Sequence, residues 1–209
     1  MRNGRCLTVL KLGGSHAFAR HLRHWLKAIA RGAGHVVVVP GGGPFADAVR
    51  TAQPQMGFDD GAAHHMALLA MEQYGRALVS LEPSFRPADS VAAIRRLLRA
   101  GDVPVWSPTR MVLAAKDIPC SWDVTSDSLA VWLAGRLGAA RVVLVKHGEP
   151  RGDTLRAGDL IGRGIVDPAF ARFLDGVDAS IVGPAGHAAA AAAWRNGRVI
   201  GRASCRERV

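Results

Sequence analysis

The chain has 209 residues, of which 49% are hydrophobic and 21% are charged, and this balance is typical of a folded protein rather than a disordered one. The length allows one sizeable α/β domain, and we expect a single domain over residues 1–199. The formal charge is +10, but the basic residues are spread along the chain and it has one tyrosine, which argues against a nucleic-acid surface. Three widely separated cysteines exclude a disulfide framework and a zinc knuckle.

No apolar run approaches the length of a membrane span, and the N-terminus lacks the apolar core of a secretory leader. We therefore expect a cytoplasmic protein that does not enter a membrane.

Apolar runs and helical stripes alternate along the first half of the chain. They predict strands at 7–12, 36–39 and 77–81, and helices at 17–31, 44–53 and within 56–74. Phe18 belongs to the apolar stripe of the helix at 17–31. Its His21 and His24 are expected in solvent, so that they and His16 do not converge on a metal.

The second half continues the alternation. The patterns predict helices at 90–100, 127–138, 167–174 and 185–194, strands at 103–106, 141–146 and 179–182, and loops at 82–87 and 147–164. Pro104 would confine the strand at 103–106 to an end or edge. Such alternation predicts an α/β fold with a mainly parallel sheet and ligands at the carboxyl ends of its strands.

Two of these strands run into glycines before a helix. Lys11 precedes Gly13, Gly14 and Ser15, and the run Gly41–Gly42–Gly43 precedes a helix that carries Asp47. Three consecutive glycines imply that something approaches the main chain closely, and their N–H groups can receive an anion. Asp47 is equally consistent with a surface carboxylate and a site residue.

A third polar segment leads into the helix predicted at 127–138. Asp127 follows Ser126 at its start, where a carboxylate either caps the first turn or serves a site. Lys146 ends the next strand and so repeats the placement of Lys11. The paired His64 and His65 favour a surface or interface role over catalysis.

Taken in order, these motifs resemble those of the amino acid kinase superfamily, whereas the common Gly-rich nucleotide motifs are absent. The resemblance implies a three-layer αβα sandwich, ATP with Mg²⁺, and transfer of the γ-phosphoryl group to a small anionic acceptor. It assigns catalysis to Lys11, Asp127 and Lys146, with Asp127 orienting the lysines. It places ATP at Lys11, Gly13, Gly14, Ser15 and Lys146, and the acceptor at Gly41, Gly42, Gly43, Asp47 and Ser126, with no protein metal site.

Within the superfamily, the segments 121–127 and 164–170 are most similar to the small kinases that act on aminomethylfuran-methyl phosphate in methanofuran-type cofactor synthesis. A departure from the usual Val-Asp-Gly segment, at residues 147–150, leaves the adenine pocket undefined. We favour a phosphomonoester acceptor, to which Arg86 and Arg110 would add positive charge. The alternatives are an acyl-phosphate-forming amino acid kinase and a non-catalytic nucleotide-binding storage or regulatory protein.

Residues 200–209 have no apolar period and resemble a translated sequencing adapter. We expect a non-native tail there, after a domain truncated near residue 199. Apolar Met66 and Leu69 beside the histidine pair would suit a homo-oligomer interface.

Overall fold

The computed structural model of the chain describes residues 7–139, 141–148, 154–195 and 203–205. Its strands form one sheet at the centre of the fold. The strands of the sheet are β1 (Thr8–Leu12), β2 (Val36–Pro40), β3 (Phe85–Ala88), β4 (Val103–Trp106), β5 (Arg141–Val145), β6 (Thr154–Leu155), β7 (Asp178–Val182) and β8 (Ala203–Cys205). Their order across the sheet is β3-β4-β2-β1-β5-β7-β8-β6. All neighbouring pairs are parallel except β7 and β8, so the predicted mainly parallel sheet is confirmed.

Helices cover both faces of this sheet. They are α1 (Leu22–Ala30), α2 (Gly43–Met56), α3 (Asp60–Leu81), α4 (Val91–Ala100), α5 (Thr109–Leu113), α6 (Ser126–Leu137), α7 (Ala157–Gly162) and α8 (His187–Arg195). Alternate residues of each central strand enter two different cores. Val9 and Val142 pack in the core that contains α6, while Leu10 and Val143 pack in the core that contains α1 and α8. The three-layer αβα arrangement is as predicted.

Residues 77–81 were expected to form a strand, and this prediction is wrong. They are the last residues of α3, a 22-residue helix in which Leu78 is fully buried one turn after Tyr74. The strand is instead β3, in the segment predicted as a loop, where Phe85 and Ala88 are buried and pair with β4. Pro87 made this segment look like a loop, but a proline is tolerated in an edge strand, and β3 lies at the edge of the sheet.

Two further predictions in the first half need correction. β4 lies between β3 and β2, so Pro104 sits near the strand's start but not in an edge strand. The helix predicted at 17–31 begins only at Leu22, because residues 17–21 form turns that follow the 3₁₀ helix at Gly14–His16. Phe18, predicted to face the core, is 87% exposed.

The end of the chain also differs in part from the prediction. The segment predicted as a loop at 147–164 contains β6 and α7, although its residues 149–153 lie outside the described ranges. The helix predicted at 167–174 is a 3₁₀ turn at Phe170–Phe173. Of the tail, the structure describes Ala203–Cys205, which run antiparallel to β7. The non-native origin of the tail and the domain limit at residue 199 stay predictions.

Within the described ranges, no helix is long and apolar enough to cross a membrane.

Candidate active site

The carboxyl ends of three central strands lie level with one another. Leu12 of β1 pairs with Pro40 of β2 on one side and with Val145 of β5 on the other. The segments that follow these strands, which carry the two glycine runs and Lys146, therefore meet at one edge of the sheet.

Two lysines from this edge contact one carboxylate. The Nζ of Lys11 lies 2.9 Å from Oδ1 of Asp127, and the Nζ of Lys146 lies 2.5 Å from Oδ2. Asp127 and Lys11 are buried, with 4% and 7% of their surfaces exposed. Asp127 therefore fixes both ammonium groups, and this buried cluster carries a net charge of +1.

The positive charges of the two lysines favour the ionised form of Asp127. Burial by itself would raise the pKa of Asp127, but the positive charges of Lys11 and Lys146 outweigh it and hold the pKa below its ordinary value. Burial, followed by the charge of Lys11, lowers the pKa of Lys146 against the opposing effect of Asp127. Asp127 is thus a poor proton acceptor and a strong anchor for cations.

Asp127 does not cap its helix, although it lies in the first turn. The Oγ1 of Thr125 accepts the N–H of Asp127, as the side chain of a capping residue does. Asp167, from the segment predicted to begin a helix, accepts hydrogen bonds from the backbone and hydroxyl groups of Thr125 and Ser128. The Asp127 side chain is left free to hold the lysines.

Sequence reasoning missed the role of Asp167 as a cap for a distant helix. Its pKa is raised, first by burial and also by the charge of Asp127, while the hydrogen bonds from Ser128 and Thr125 oppose the rise. The Asp-Pro pair suggested a local helix start, and no local signal reveals a partner 42 residues away. Asp167 positions the start of α6 and so the carboxylate of Asp127.

The two glycine runs pack directly against each other. A Cβ on Gly14 would lie 1.9 Å from the backbone nitrogen of Gly43, and one on Gly41 would lie 2.3 Å from that of Gly14. Gly43 also has φ of +56°, a conformation that disfavours side chains. The three consecutive glycines predicted that something approaches their main chain closely. The loop that carries Gly14 makes such an approach.

Gly14→Ala is expected to destabilise the fold by about 1–3 kcal/mol, because the added methyl group would force the two backbones apart. Urea unfolding measures this loss. Gly135→Ala in α6 is the matched control: its Cβ meets open space, and alanine favours a helix by up to about 1 kcal/mol. Equal stability of parent and Gly14→Ala would contradict the tight packing of these loops.

A cavity of about 280 Å³ opens beside the lysines; we call it the central cavity. It is lined by eight residues that the sequence assigned to ATP or acceptor: Lys11, Gly14, Ser15, Gly41, Gly42, Gly43, Asp47 and Ser126. Gly13 lies beside the side chain of Lys11: a Cβ on Gly13 would lie 3.3 Å from the Nζ of Lys11. Lys146 is linked to these residues through Asp127, which contacts both Lys146 and Lys11.

The cavity also contains side chains that the sequence did not assign. Arg50 lies one turn after Asp47, forms an ion pair with it at 3.3 Å, and stacks over Trp122 at 4.5 Å. Leu68 and Val124 supply part of an apolar wall. The helical spacing of Asp47 and Arg50 was the available signal, since residues three apart share a helix face.

Arg86 and Arg110, expected to assist an acceptor phosphate, lie elsewhere. Arg86 in β3 donates to the carbonyl of Pro83, and Arg110 pairs with Asp89 at 3.2 Å beside a separate cavity. Neither residue lines the central cavity. Among the described residues, Arg50 is the arginine that lines it.

His21, expected on the solvated face, is half-buried and contacts His16. The Nε2–H of buried His16 donates to the carbonyl of Val145, so its Nδ1 accepts from Nε2–H of His21 at 2.7 Å. His147 stacks on His16 and donates to the carbonyl of Ser15. These rings tie the end of β5 to the first glycine loop, whereas His24 stacks on His187.

Stability should therefore fall on acidification. Burial lowers the pKa of His16 to about 4, with smaller contributions from the charges of His147, His21 and Lys11. Between pH 4 and 6.5 the unfolded chain binds more protons at this residue, so stability is lost as the pH falls, by at most about 3 kcal/mol. Urea unfolding from pH 4.5 to 7.5 should show a steeper loss for the parent than for His16→Gln; the exposed His65→Gln should follow the parent.

Among the described residues, no group of three or more His, Cys, Asp or Glu side chains is arranged to hold a metal ion.

Comparisons with known proteins agree with this architecture. The family model described as "Amino acid kinase family" matches residues 7–149. A [5-(aminomethyl)furan-3-yl]methyl phosphate kinase from Methanocaldococcus jannaschii is 24% identical over 155 residues, covering 73% of this chain and 71% of the relative.

Solved structures of similar fold include two uridylate kinases. That of Archaeoglobus fulgidus has a TM-score of 0.73 at 19% identity and covers 96% of this chain and 100% of its own. The UMP kinase of Bacillus anthracis has a TM-score of 0.71 at 15% identity, with 97% and 96% covered. At such identities these structures show a shared fold.

Proposed function

We propose that this chain, which belongs to the amino acid kinase family and is a kinase, transfers the γ-phosphoryl group of ATP to the phosphate of a small phosphomonoester. The products are ADP and a diphosphate. A phosphate oxygen of the acceptor forms a bond to the γ-phosphorus, and the bond between that phosphorus and the β,γ-bridging oxygen breaks.

The observation that carries the proposal is the contact of Lys11 and Lys146 with Asp127 beside the central cavity. Phosphoryl transfer between two anions gathers negative charge on the transferred oxygens, and fixed cations stabilise that charge. Lys11 faces the cavity and is placed to contact the transferred group, while Lys146 contacts the nucleotide side. Asp127 orients both lysines and removes no proton, because the acceptor phosphate is already ionised.

The glycine loops supply backbone N–H groups around the phosphates, with Gly13, Gly14 and Ser15 toward ATP and Gly42, Gly43 and Ser126 toward the acceptor. Gly41 lines the acceptor side, while its own N–H donates to the carbonyl of Leu12. Mg²⁺ enters as its complex with the ATP oxygens and reduces their charge. The described side chains offer no separate metal cluster, and Asp127 is already held by two lysines.

Three features support a phosphomonoester acceptor. Arg50 adds a cation to the central cavity, and its planar fork suits a phosphate. The remaining wall is largely apolar, as expected for a compact organic group. The relative from Methanocaldococcus jannaschii is named for an aminomethylfuran-methyl phosphate, and we infer a related acceptor here.

The test incubates the protein with Mg²⁺-ATP and two acceptor sets, amino acids and phosphomonoesters that include [5-(aminomethyl)furan-3-yl]methyl phosphate and UMP. Besides ADP, phosphorus NMR should show an acceptor-derived diphosphate only with a phosphomonoester. Acyl phosphate trapped by hydroxylamine from an amino acid, with ADP but without any acceptor-derived diphosphate, would favour the acyl-phosphate-forming alternative. ATP binding with no turnover of either set would favour a storage or regulatory protein.

A further inference from the structure

His64 of α3 is a buried imidazole that faces the central cavity. Its surface is 8% exposed, and it lines the cavity with its neighbours Ala67, Leu68 and Met71. Among the described residues, none donates a hydrogen bond to its ring or accepts one from it. The sequence favoured a surface or interface role for both His64 and His65, but of the two only His65 is exposed.

A ring that has no partner among the described residues and lines a cavity is available to a ligand, and it needs a partner from that ligand once the ligand displaces water. Burial, followed by the charge of His65, lowers the pKa of His64, so the ring is neutral near pH 7. A neutral imidazole both donates and accepts a hydrogen bond. It therefore suits a polar substituent on a ligand whose neighbouring atoms are apolar.

The central cavity is lined by groups that suit an anion, namely Lys11, Arg50 and the glycine N–H groups, and by His64 together with Leu68, Met71 and Leu129. Leu68 and Met71 lie one and two turns after His64 on α3, so they share its helix face. A phosphorylated sugar would bring several hydroxyl groups to this face, whereas one imidazole can serve only two. A flat ring with one polar arm matches the wall better.

We propose that His64 is a specificity-determining residue that hydrogen-bonds the single polar substituent of the acceptor, at the end remote from its phosphate. The acceptor class is then a compact, mainly apolar ring-methyl phosphate with one polar arm. This inference rests on the proposed function for the presence of a phosphomonoester, and adds which part of it the protein recognises.

The experiment compares two acceptors that differ only in the polar arm: [5-(aminomethyl)furan-3-yl]methyl phosphate and furan-3-ylmethyl phosphate. The parent should prefer the first by about tenfold or more in kcat/KM, because a site built for a hydrogen bond rejects an analogue that lacks it. His64→Leu should reduce this preference to less than about threefold. KM for ATP should stay at the parental value, and His64→Gln, which keeps a donor and an acceptor, should restore part of the preference.

His65→Leu is the matched control, since it removes the neighbouring exposed ring and should keep the parental preference. Binding is read independently from the ring nitrogen resonances of His64 in ¹⁵N-histidine protein, which the first acceptor should shift more than the second. An unchanged preference in His64→Leu would overturn the inference while leaving the proposed function intact. A selective shift of the His64 resonances without turnover would keep the inference and refute the proposed function; neither shift nor turnover would refute both.

Discussion

Lys11→Met is expected to reduce turnover by about 10²–10³-fold, with little loss of stability. The loss follows from removing one cation from the transferred phosphoryl group, and donors to a developing anion are worth about 2.7–4 kcal/mol each. Stability should persist because the buried cluster holds two ammonium groups and one carboxylate. Removing Lys11 leaves a balanced pair of Asp127 and Lys146.

ADP release measures the turnover of this variant, and urea unfolding measures its stability. Lys116→Met is the matched control, because Lys116 is an exposed lysine that does not line the central cavity, and it should keep parental turnover. Turnover of Lys11→Met within about threefold of the parent would remove Lys11 from the mechanism.

Asp127→Asn is expected to lower both turnover and stability. If Asp127 capped its helix, asparagine would preserve the cap and spare stability, but Thr125 and Asp167 cap the helix instead. The variant leaves two buried ammonium groups with no counter-ion, and breaking a buried pair costs about 3–5 kcal/mol. Turnover should collapse because nothing then orients Lys11 and Lys146.

The pH dependence of stability provides a second readout for Asp127. Its pKa is lowered in the folded state, so its contribution is present above the ordinary carboxyl pKa and is lost as the pH falls through the lowered value. Asp127→Asn should lack this contribution. Asp159→Asn, which alters an exposed first-turn carboxylate of α7, should match the parent in both stability and turnover. Parental melting together with parental turnover in Asp127→Asn would show that the two lysines need no anchor.

Local sequence determined much of the parallel sheet and the residues at its functional edge. The run of four valines at 36–39 and the apolar run at 142–145 are buried on both faces, and this burial is why they read as continuous apolar strands. Ser90 caps α4 at the helix start predicted at residue 90, since a cap depends on residues within one turn. The ordered glycine and lysine motifs likewise pointed to the strand ends that meet beside the central cavity.

Tertiary structure alone decided the residues that depend on distant partners. Residues 77–81 are apolar enough for a strand, but α3 continues through them because Leu78 packs in the core on the same helix as Tyr74. Asp167 reaches Thr125 across 42 residues, and His16 reaches Val145 across 129. His64 and His65 are adjacent residues of the same type, yet His64 faces the cavity and His65 faces solvent. Periodicity describes neighbours along a helix or strand, whereas these contacts exist only once the elements have packed.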